Sequence, residues 1–194
     1  MRGRRKIYDE QEAVRKTIGL FRAIGYEGAS TEELLQVMGI GKGSFYHAFP
    51  GGKKELFEKA MKEFSDMRMK QLREDLAKSP DKIGEIRSLF LKIAESDSDE
   101  HEMGCLLANT VTELYTLEQG LALRAARLLK EFEQVLFEVL QEARKEGKLK
   151  PEADPKVLAG YLVTIWNGLN VTRKMYPDSK RLRALIEWQL RVLD

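Results

Sequence analysis

The sequence predicts an all-α protein of about nine helices, in which a short helix-turn-helix unit precedes a larger helical region. Apolar residues recur at the helical period along almost the whole chain of 194 residues. No stretch combines alternating apolar and polar residues with the β-branched enrichment of a strand. We expect two domains, at residues 1–52 and 53–194.

The first helix is predicted over residues 9–24. Val14, Phe21 and Ile24 belong to its apolar stripe, which would cover the helix-turn-helix. Gly25 is expected to end it, because glycine leaves a helix at little conformational cost.

Two short helices follow at residues 31–38 and 42–48. Ser30 can cap the first, and Glu33 can reach back to the Ser30 N–H in a capping box. Gly39 can adopt the left-handed conformation that ends this helix, and Ile40 is an apolar plug between the pair. The spacing therefore predicts a helix-turn-helix.

The second short helix has two different faces. Phe45 and Phe49, one turn apart, can pack inward with Ile40. Small residues, hydrogen-bond donors and one cation are left on the outside. These are Lys42, Gly43, Ser44, Tyr46 and His47. Such a face suits a DNA major groove, where base edges and phosphates both accept hydrogen bonds.

The segments LFRAIGYEGASTEEL (residues 20–34) and GIGKGSFYHAFPGGKKEL (residues 39–56) resemble the DNA-binding region of the TetR/AcrR-type family of one-component bacterial regulators. The resemblance covers roughly residues 12–60. It implies phosphate contacts from Ser30, Thr31, Tyr46 and Lys53. It implies base-edge or mixed contacts from Lys42, Gly43, Ser44 and His47.

Two positions depart from the family pattern. Gly41 stands where a serine or threonine cap is usual, so one hydroxyl is missing. Leu35 replaces a small alanine between the two helices.

Lys53 and Lys54 lie in the first turn of the next helix, where cations oppose the helix dipole unless a phosphate binds there. The alternative is that these lysines only form a solvated face.

Charge is unevenly distributed. The chain has 33 basic and 31 acidic residues, whereas residues 1–54 hold 10 basic and 6 acidic ones. That balance places the attraction for a polyanion near the N-terminus. Residues 2–6 contain four cations, Arg2, Arg4, Arg5 and Lys6, which form either a minor-groove arm or a solvated terminus.

The remaining helices follow from periodicity and breakers. The fourth runs from Lys53 to about Lys78 and is long enough to connect the two domains, so we expect it to act as the lever of any switch. The others are predicted at residues 81–95, from about residue 104, at residues 117–146, from the Asp154-Pro155 start, and after the break at residues 176–178.

Residues 96–103 form an acidic, polar loop. His101 and the only cysteine, Cys105, are four residues apart, and four carboxylates lie nearby: Asp97, Asp99, Glu100 and Glu102. A divalent metal site is conceivable, but a solvated loop is the simpler interpretation, and we expect no metal and no cofactor. Cys105 is either a reactive thiol at a helix start or a small buried apolar residue.

The last two helices carry more apolar surface than one subunit needs, which predicts a homodimer through a four-helix bundle; the family resemblance implies the same. Aromatic, methionine and polar residues of the central helices are candidates for a small-molecule effector site, although such residues are more often core. The candidates are Phe64, Met67, Phe90, Met103, Cys105, Asn109, Phe132, Trp166 and Asn167.

We therefore expect a DNA-binding transcriptional regulator, by family default a repressor, which binds a palindromic operator in double-stranded DNA and is released by a largely apolar effector. The alternatives are a thiol-based sensor of electrophiles or oxidants acting through Cys105, and an effector-independent DNA-binding or interaction protein. No nucleophile or phosphate-loop context supports an enzyme. The lone cysteine, together with the absence of a ~20-residue apolar run, favours a cytoplasmic protein with no membrane segment.

Overall fold

A computed structural model describes residues 9–95, 103–176 and 178–194. Within these ranges the chain forms nine α-helices and no strand, which confirms the predicted all-α class. They are α1 (Glu10–Gly28), α2 (Thr31–Met38), α3 (Lys42–Ala48), α4 (Gly52–Lys78), α5 (Lys82–Glu95), α6 (Leu106–Leu114), α7 (Gln119–Lys145), α8 (Pro155–Met175) and α9 (Ser179–Gln189), with a final 3-10 turn at Leu190–Leu193.

The helix-turn-helix has the boundaries and caps that its sequence predicts. Ser30 Oγ accepts from the Glu33 N–H at 3.2 Å, and the Glu33 carboxylate accepts from the Ser30 N–H at 2.9 Å, which completes the capping box. Gly39 ends α2 in the left-handed conformation, with φ 69°. Gly41 precedes α3 without a side-chain cap, as expected from its missing hydroxyl.

Helix α1 is longer than predicted. It passes through Gly25, whose φ of 77° and ψ of −179° are not helical, and continues to Gly28. The break leaves the next N–H groups without helical acceptors, and the Glu113 carboxylate of α6 accepts from Tyr26 N–H at 3.2 Å and from Glu27 N–H at 2.9 Å. Gly25 thus interrupts the regular helix, as predicted, whereas the further turn to Gly28 was not predicted, because a side chain distant in sequence satisfies the backbone beyond the break.

Buried apolar residues form two clusters. The N-terminal cluster unites α1–α3 and the first half of α4 with α6 and the first half of α7. Phe57 is fully buried in it, with its ring centroid 4.7 Å from that of Phe21 and 4.9 Å from that of Tyr26. The C-terminal cluster unites the remainder of α4 and α7 with α5, α8 and α9. Helices α4 and α7 therefore belong to both cores, and the predicted division at residue 52 stays a prediction.

Helices α7 to α9 begin and end close to the expected residues. The side chain of Asp154 accepts from the N–H groups of Lys156 and Val157, and Pro155 occupies the first turn of α8, as predicted.

None of the helices in the described part of the chain combines the length and apolar composition that a bilayer crossing requires. The basic residues 2–6 and the acidic residues 97–102 lie outside the described residues. Among the described residues, no three histidine, cysteine or carboxylate side chains are grouped to hold a metal.

Candidate functional site

Helix α3 presents its polar face to solvent. Phe45 is fully buried, and its ring centroid lies 5.5 Å from that of Phe49 and 5.1 Å from that of Tyr46. The outer positions are all exposed, as the periodicity predicts: Lys42, Gly43, Ser44, Tyr46 and His47. The buried phenylalanines therefore fix the helix so that a cation, a phenol and an imidazole share one accessible surface.

The predicted phosphate contact Ser30 is already engaged within the chain. Its Oγ–H donates to Glu33 Oε2 at 2.7 Å. The Ser30 hydroxyl and N–H lower the pKa of the exposed Glu33 carboxyl, because they donate to its ionised form. A phosphate that binds the Ser30 hydroxyl would have to displace its hydrogen bond to Glu33. The adjacent Thr31, at the start of α2, is half-buried.

Lys53 has a structural role that the sequence did not reveal. Its ammonium donates to Tyr26 O at 3.0 Å and to Ala29 O at 3.1 Å, and it lies 4.4 Å from the Tyr26 ring centroid. These two bonds hold the start of α4 against the carbonyls at the end of α1, and an ammonium has one further N–H for a phosphate.

Lys54 is held in a different way. It pairs with Glu118 at 2.8 Å, and this carboxylate raises the pKa of the lysine. The partners of the two lysines offset the unfavourable helix dipole that the sequence indicated.

A partly open cavity of about 210 Å³ lies between α1 and α4–α8. Much of its wall is apolar, with contributions from Phe64, Leu107, Leu128, Phe132, Trp166 and Leu169. Polar and charged side chains complete it, among them Arg22, Ser65, Arg68, Cys105, Asn170 and Arg173. An apolar wall combined with polar side chains is typical of small-molecule sites.

The nine predicted effector residues separate into three groups. Four line the cavity: Phe64, Cys105, Phe132 and Trp166. Three lie inside the protein or half-buried without lining it. Phe90 is buried with its ring centroid 5.5 Å from that of Trp166, and Asn109 Nδ2 donates to Met103 O at 3.0 Å. The last two, Met67 and Asn167, are exposed on outer helix faces. These five do not line this cavity, and their contact with an effector stays a prediction.

Asn170 and Arg173, which were not predicted from the sequence, are buried and line the cavity. Both follow Trp166 at the spacing of one helix face, four and seven residues later. The available signal in the sequence was a polar residue at a position of α8 where the helical period of the apolar residues predicts burial. Asn170 Oδ1 accepts from the Cys105 N–H at 2.8 Å, so α8 caps the start of α6.

Cys105 itself is buried and occupies the N-cap position of α6 rather than its first turn. It contributes to the cavity wall next to Gly104, whose carbonyl accepts from Arg22 Nη2 at 3.0 Å. The structure therefore places the only cysteine where a cavity ligand would contact it.

Comparison with known proteins identifies this architecture. Residues 14–60 match the family described as bacterial regulatory proteins, tetR family, and residues 80–188 match the tetracyclin repressor-like C-terminal domain. The HTH-type transcriptional regulator YezE of Bacillus subtilis is 30% identical over 195 residues, covering 99% of this chain and 100% of that protein. The HTH-type transcriptional repressor DhaR of Mycobacterium sp. is 25% identical, covering 91% and 90%.

A solved structure extends the comparison to DNA. The TetR family regulator CifR, as a cysteine-substituted variant in complex with 26-bp operator DNA, superposes with a TM-score of 0.80. It is 28% identical and is matched over 97% of this chain and 98% of that chain. The chain described here thus belongs to the TetR family of DNA-binding transcriptional regulators.

Proposed function

We propose that this protein is a repressor that binds a palindromic operator as a homodimer and releases it when a small effector occupies the cavity between α1 and α4–α8. The observation that carries the DNA-binding part is the geometry of α3, whose Phe45 is buried while its polar side chains are exposed on the opposite face. The repressor assignment draws on the relative DhaR, which is named a repressor.

Helix α3 is the element proposed to enter the major groove. Its first turn would contact base edges through Lys42, Gly43 and Ser44, with His47 one turn later. Tyr46, which is 46% exposed, and the nearby Lys53 would contact phosphates. Ser30 and Thr31 at the start of α2 would contact the same backbone. In this arrangement phosphate contacts set the register of the protein, and α3 determines the sequence that it prefers.

The homodimer is proposed from an exposed stripe on the last two helices. On α8 the spacing of four and three residues repeats through exposed positions: Val157, Tyr161, Thr164, Gly168, Val171 and Met175. On α9 the exposed apolar positions Leu185, Trp188 and Val192 follow the same spacing into the 3-10 turn. We call these exposed positions of α8 and α9 the seam. Such a pattern is typical of helices that pack in bundles, and a second copy of the chain carries the matching seam. The dimer would supply two α3 helices for the two half-sites of a palindrome.

The coupling of effector to DNA is proposed to run through α6 as well as α4. The start of α6 lines the cavity at Cys105, and the preceding carbonyl of Gly104 accepts from Arg22 of α1. Towards the other end of α6, Glu113 binds the N–H groups of Tyr26 and Glu27. A ligand that displaces α6 would therefore move α1 and the helix-turn-helix packed on it. Coupling between two such sites is typically ~1–3 kcal/mol.

The test is binding of the purified protein to its own upstream DNA, measured by fluorescence anisotropy across a salt series. We expect dimer-stoichiometric binding that weakens steeply as salt rises, because phosphate contacts release counterions. Tyr46→Ala should weaken binding, and Tyr46→Phe will show how much depends on the hydroxyl. Tyr115→Ala is the matched control, because Tyr115 is 56% exposed beyond the end of α6. Weak binding, equal for all sequences and insensitive to Tyr46→Ala, would contradict the proposal.

A second candidate is a covalent sensor, and the position of Cys105 in the cavity wall favours it. In this alternative the thiol adds to an electrophile that enters the cavity. Treatment with iodoacetamide followed by intact-mass measurement should then show one modification in the wild type and none in Cys105→Ser. Operator release that persists in Cys105→Ser would leave only the reversible ligand. An operator complex that responds to no cavity ligand and no alkylating agent would indicate an effector-independent regulator.

A further inference from the structure

Positive charge is concentrated in the wall of the cavity. The described residues that line it include four cations and two carboxylates. The cations are Arg22, Arg68, Lys92 and Arg173, from four different helices, and the carboxylates are Asp75 and Glu85. Each of the cations also has contacts within the protein, so a bound anion would share them with the chain. Like charges around one cavity repel each other, and a negatively charged occupant offsets that repulsion.

Two of these cations are located by their contacts with the cavity wall. The guanidinium carbon of Arg22 lies 5.7 Å from the ring centroid of Phe64, and that of Arg68 lies 5.6 Å from the same centroid. Arg22 also donates from Nε and Nη2 to Gly104 O, at 3.2 and 3.0 Å. Because Phe64 and Gly104 both line the cavity, the two guanidinium groups lie beside it. Arg22 is half-buried and Arg68 is exposed, so an anion that enters the partly open cavity can reach them.

The two carboxylates belong to another part of the wall. Asp75 is three residues before the end of α4, and Glu85 is three residues after the start of α5. Arg68 precedes Asp75 on α4 by seven residues, which correspond to about 10 Å along the helix axis. The cavity therefore has an acidic end near the connection between α4 and α5. We call the opposite end, at Phe64 with Arg22 and Arg68, the cationic end.

From this arrangement we propose that the effector is an apolar carboxylate, whose carboxylate group binds Arg22 and Arg68 at the cationic end. This inference rests on the proposed function, and it narrows the effector from any largely apolar molecule to an organic anion. The planar guanidinium group matches the two oxygens of a carboxylate. The apolar body would lie against Phe132 and Trp166. Since a cavity of about 150 Å³ can hold benzene, 210 Å³ leaves room for a benzene ring with a carboxylate.

Arg22 gives such a ligand a direct contact with the DNA-binding unit. This residue belongs to α1, and its guanidinium group binds the Gly104 carbonyl immediately before the start of α6. A carboxylate at Arg22 would compete with that carbonyl for the same N–H groups. Occupation of the cationic end would therefore weaken one of the links between α1 and α6.

The probes are three planar molecules of nearly the same shape and different charge. At neutral pH benzoate is an anion, nitrobenzene is neutral and benzamidinium is a cation. Their binding to the full chain without DNA is measured by isothermal titration calorimetry. We expect benzoate to bind at least about tenfold more tightly than benzamidinium, because the cationic end attracts one and repels the other. Raising NaCl from about 0.1 M to about 1 M should weaken the binding of benzoate and not that of nitrobenzene.

Arg68→Gln is the diagnostic variant, since Arg68 is exposed and its replacement leaves the buried core intact. It should weaken benzoate about threefold, which is the modest loss expected for an exposed charge, and leave nitrobenzene unchanged. Arg73→Gln is the matched control, because Arg73 is also an exposed arginine of α4 but does not line the cavity. A benzoate affinity that is the same in Arg68→Gln and Arg73→Gln would show that the carboxylate does not bind at the cationic end.

Equal affinity for benzoate and benzamidinium in the wild type would overturn the proposal, as would an absence of benzoate binding at millimolar concentration. These comparisons need no variant. Saturating benzoate should also weaken operator binding, and an unchanged operator affinity would reject the carboxylate as the effector. Operator binding by the ligand-free protein is measured in parallel. If it is intact while benzoate shows no preference, the effector inference alone is rejected, whereas an absence of operator binding rejects the proposed function.

Discussion

The Glu113 carboxylate links α6 to α1, and its removal should destabilise the fold measurably. Its two oxygens accept from Tyr26 N–H and Glu27 N–H, at 3.2 and 2.9 Å. Glu113→Ala leaves both backbone donors without this acceptor beyond the break at Gly25. One of the two bonds is part-buried and the other is exposed, so each is assigned about 1 kcal/mol rather than the larger value of a buried charged pair.

We therefore expect Glu113→Ala to lower the free energy of unfolding by about 2 kcal/mol. For a chain of this size that corresponds to a fall in Tm of about 4–8 °C. Urea denaturation followed by circular dichroism gives the free energy, and Glu131→Ala is the control. Glu131 is an exposed carboxylate in the helix α7, so the control includes the same change in helix propensity. A Glu113→Ala protein within 0.5 kcal/mol of the control would refute the reasoning.

Gly25 offers an independent test of the same link. Its combination of φ 77° and ψ −179° is almost restricted to glycine, and an added Cβ would lie 2.7 Å from a Glu113 carboxylate oxygen. Gly25→Ala should cost about 1–3 kcal/mol from backbone strain, plus the displacement of Glu113. In the Glu113→Ala background only the strain should remain. A double-mutant cycle with zero coupling would show that the two residues do not interact.

Two further predictions concern the capping box and the proposed dimer. Ser30→Ala should raise the pKa of Glu33 toward the ordinary glutamate range, as measured by ¹³C NMR titration, because the hydroxyl and the cap geometry hold it low. Since the folded pKa is depressed, the box stabilises the protein above the unfolded pKa of about 4.3. Its contribution should disappear as the pH falls through the lowered value, and a pH-independent difference between variant and wild type would contradict this. Val171→Glu, at a 64% exposed seam position, should shift the protein to monomer in analytical ultracentrifugation, whereas Leu117→Glu, equally exposed at 64%, should not; an unchanged dimer would argue against the seam.

Local chemistry explains why the helix-turn-helix could be predicted to the residue. Ser30 with Glu33 and Gly39 with its left-handed conformation act within one or two turns, so their consequences are contained in the local sequence. The burial of Phe45 depended on the same short-range periodicity. The extension of α1 past Gly25 depended on Glu113, which is 88 residues away, and no local pattern indicates such an acceptor.

The cavity was predicted less accurately because each residue turns a helix by about 100°, so a small error of phase moves a side chain to another face. Asn167 and Asn170 illustrate this, since both are polar residues of α8, yet one is exposed and the other lines the cavity. Period alone cannot distinguish them without the position of the neighbouring helices. Lys53 shows the same limit, because its two carbonyl partners, Tyr26 O and Ala29 O, lie at the end of α1 and just beyond it.

The shared N-terminal core has a consequence for modularity. Leu56, Phe57 and Met61 of α4 pack in the same cluster as Leu106 and Leu114 of α6. Residues 1–52 pack against these side chains in the same cluster. A chimera that transplants only residues 1–52 onto a foreign C-terminal domain would therefore place their apolar side chains against surfaces that do not match. Recombination between relatives should therefore succeed more often when the helix-turn-helix is inherited together with α4, α6 and the first half of α7, so that the DNA-binding unit and the surface on which it packs are exchanged together.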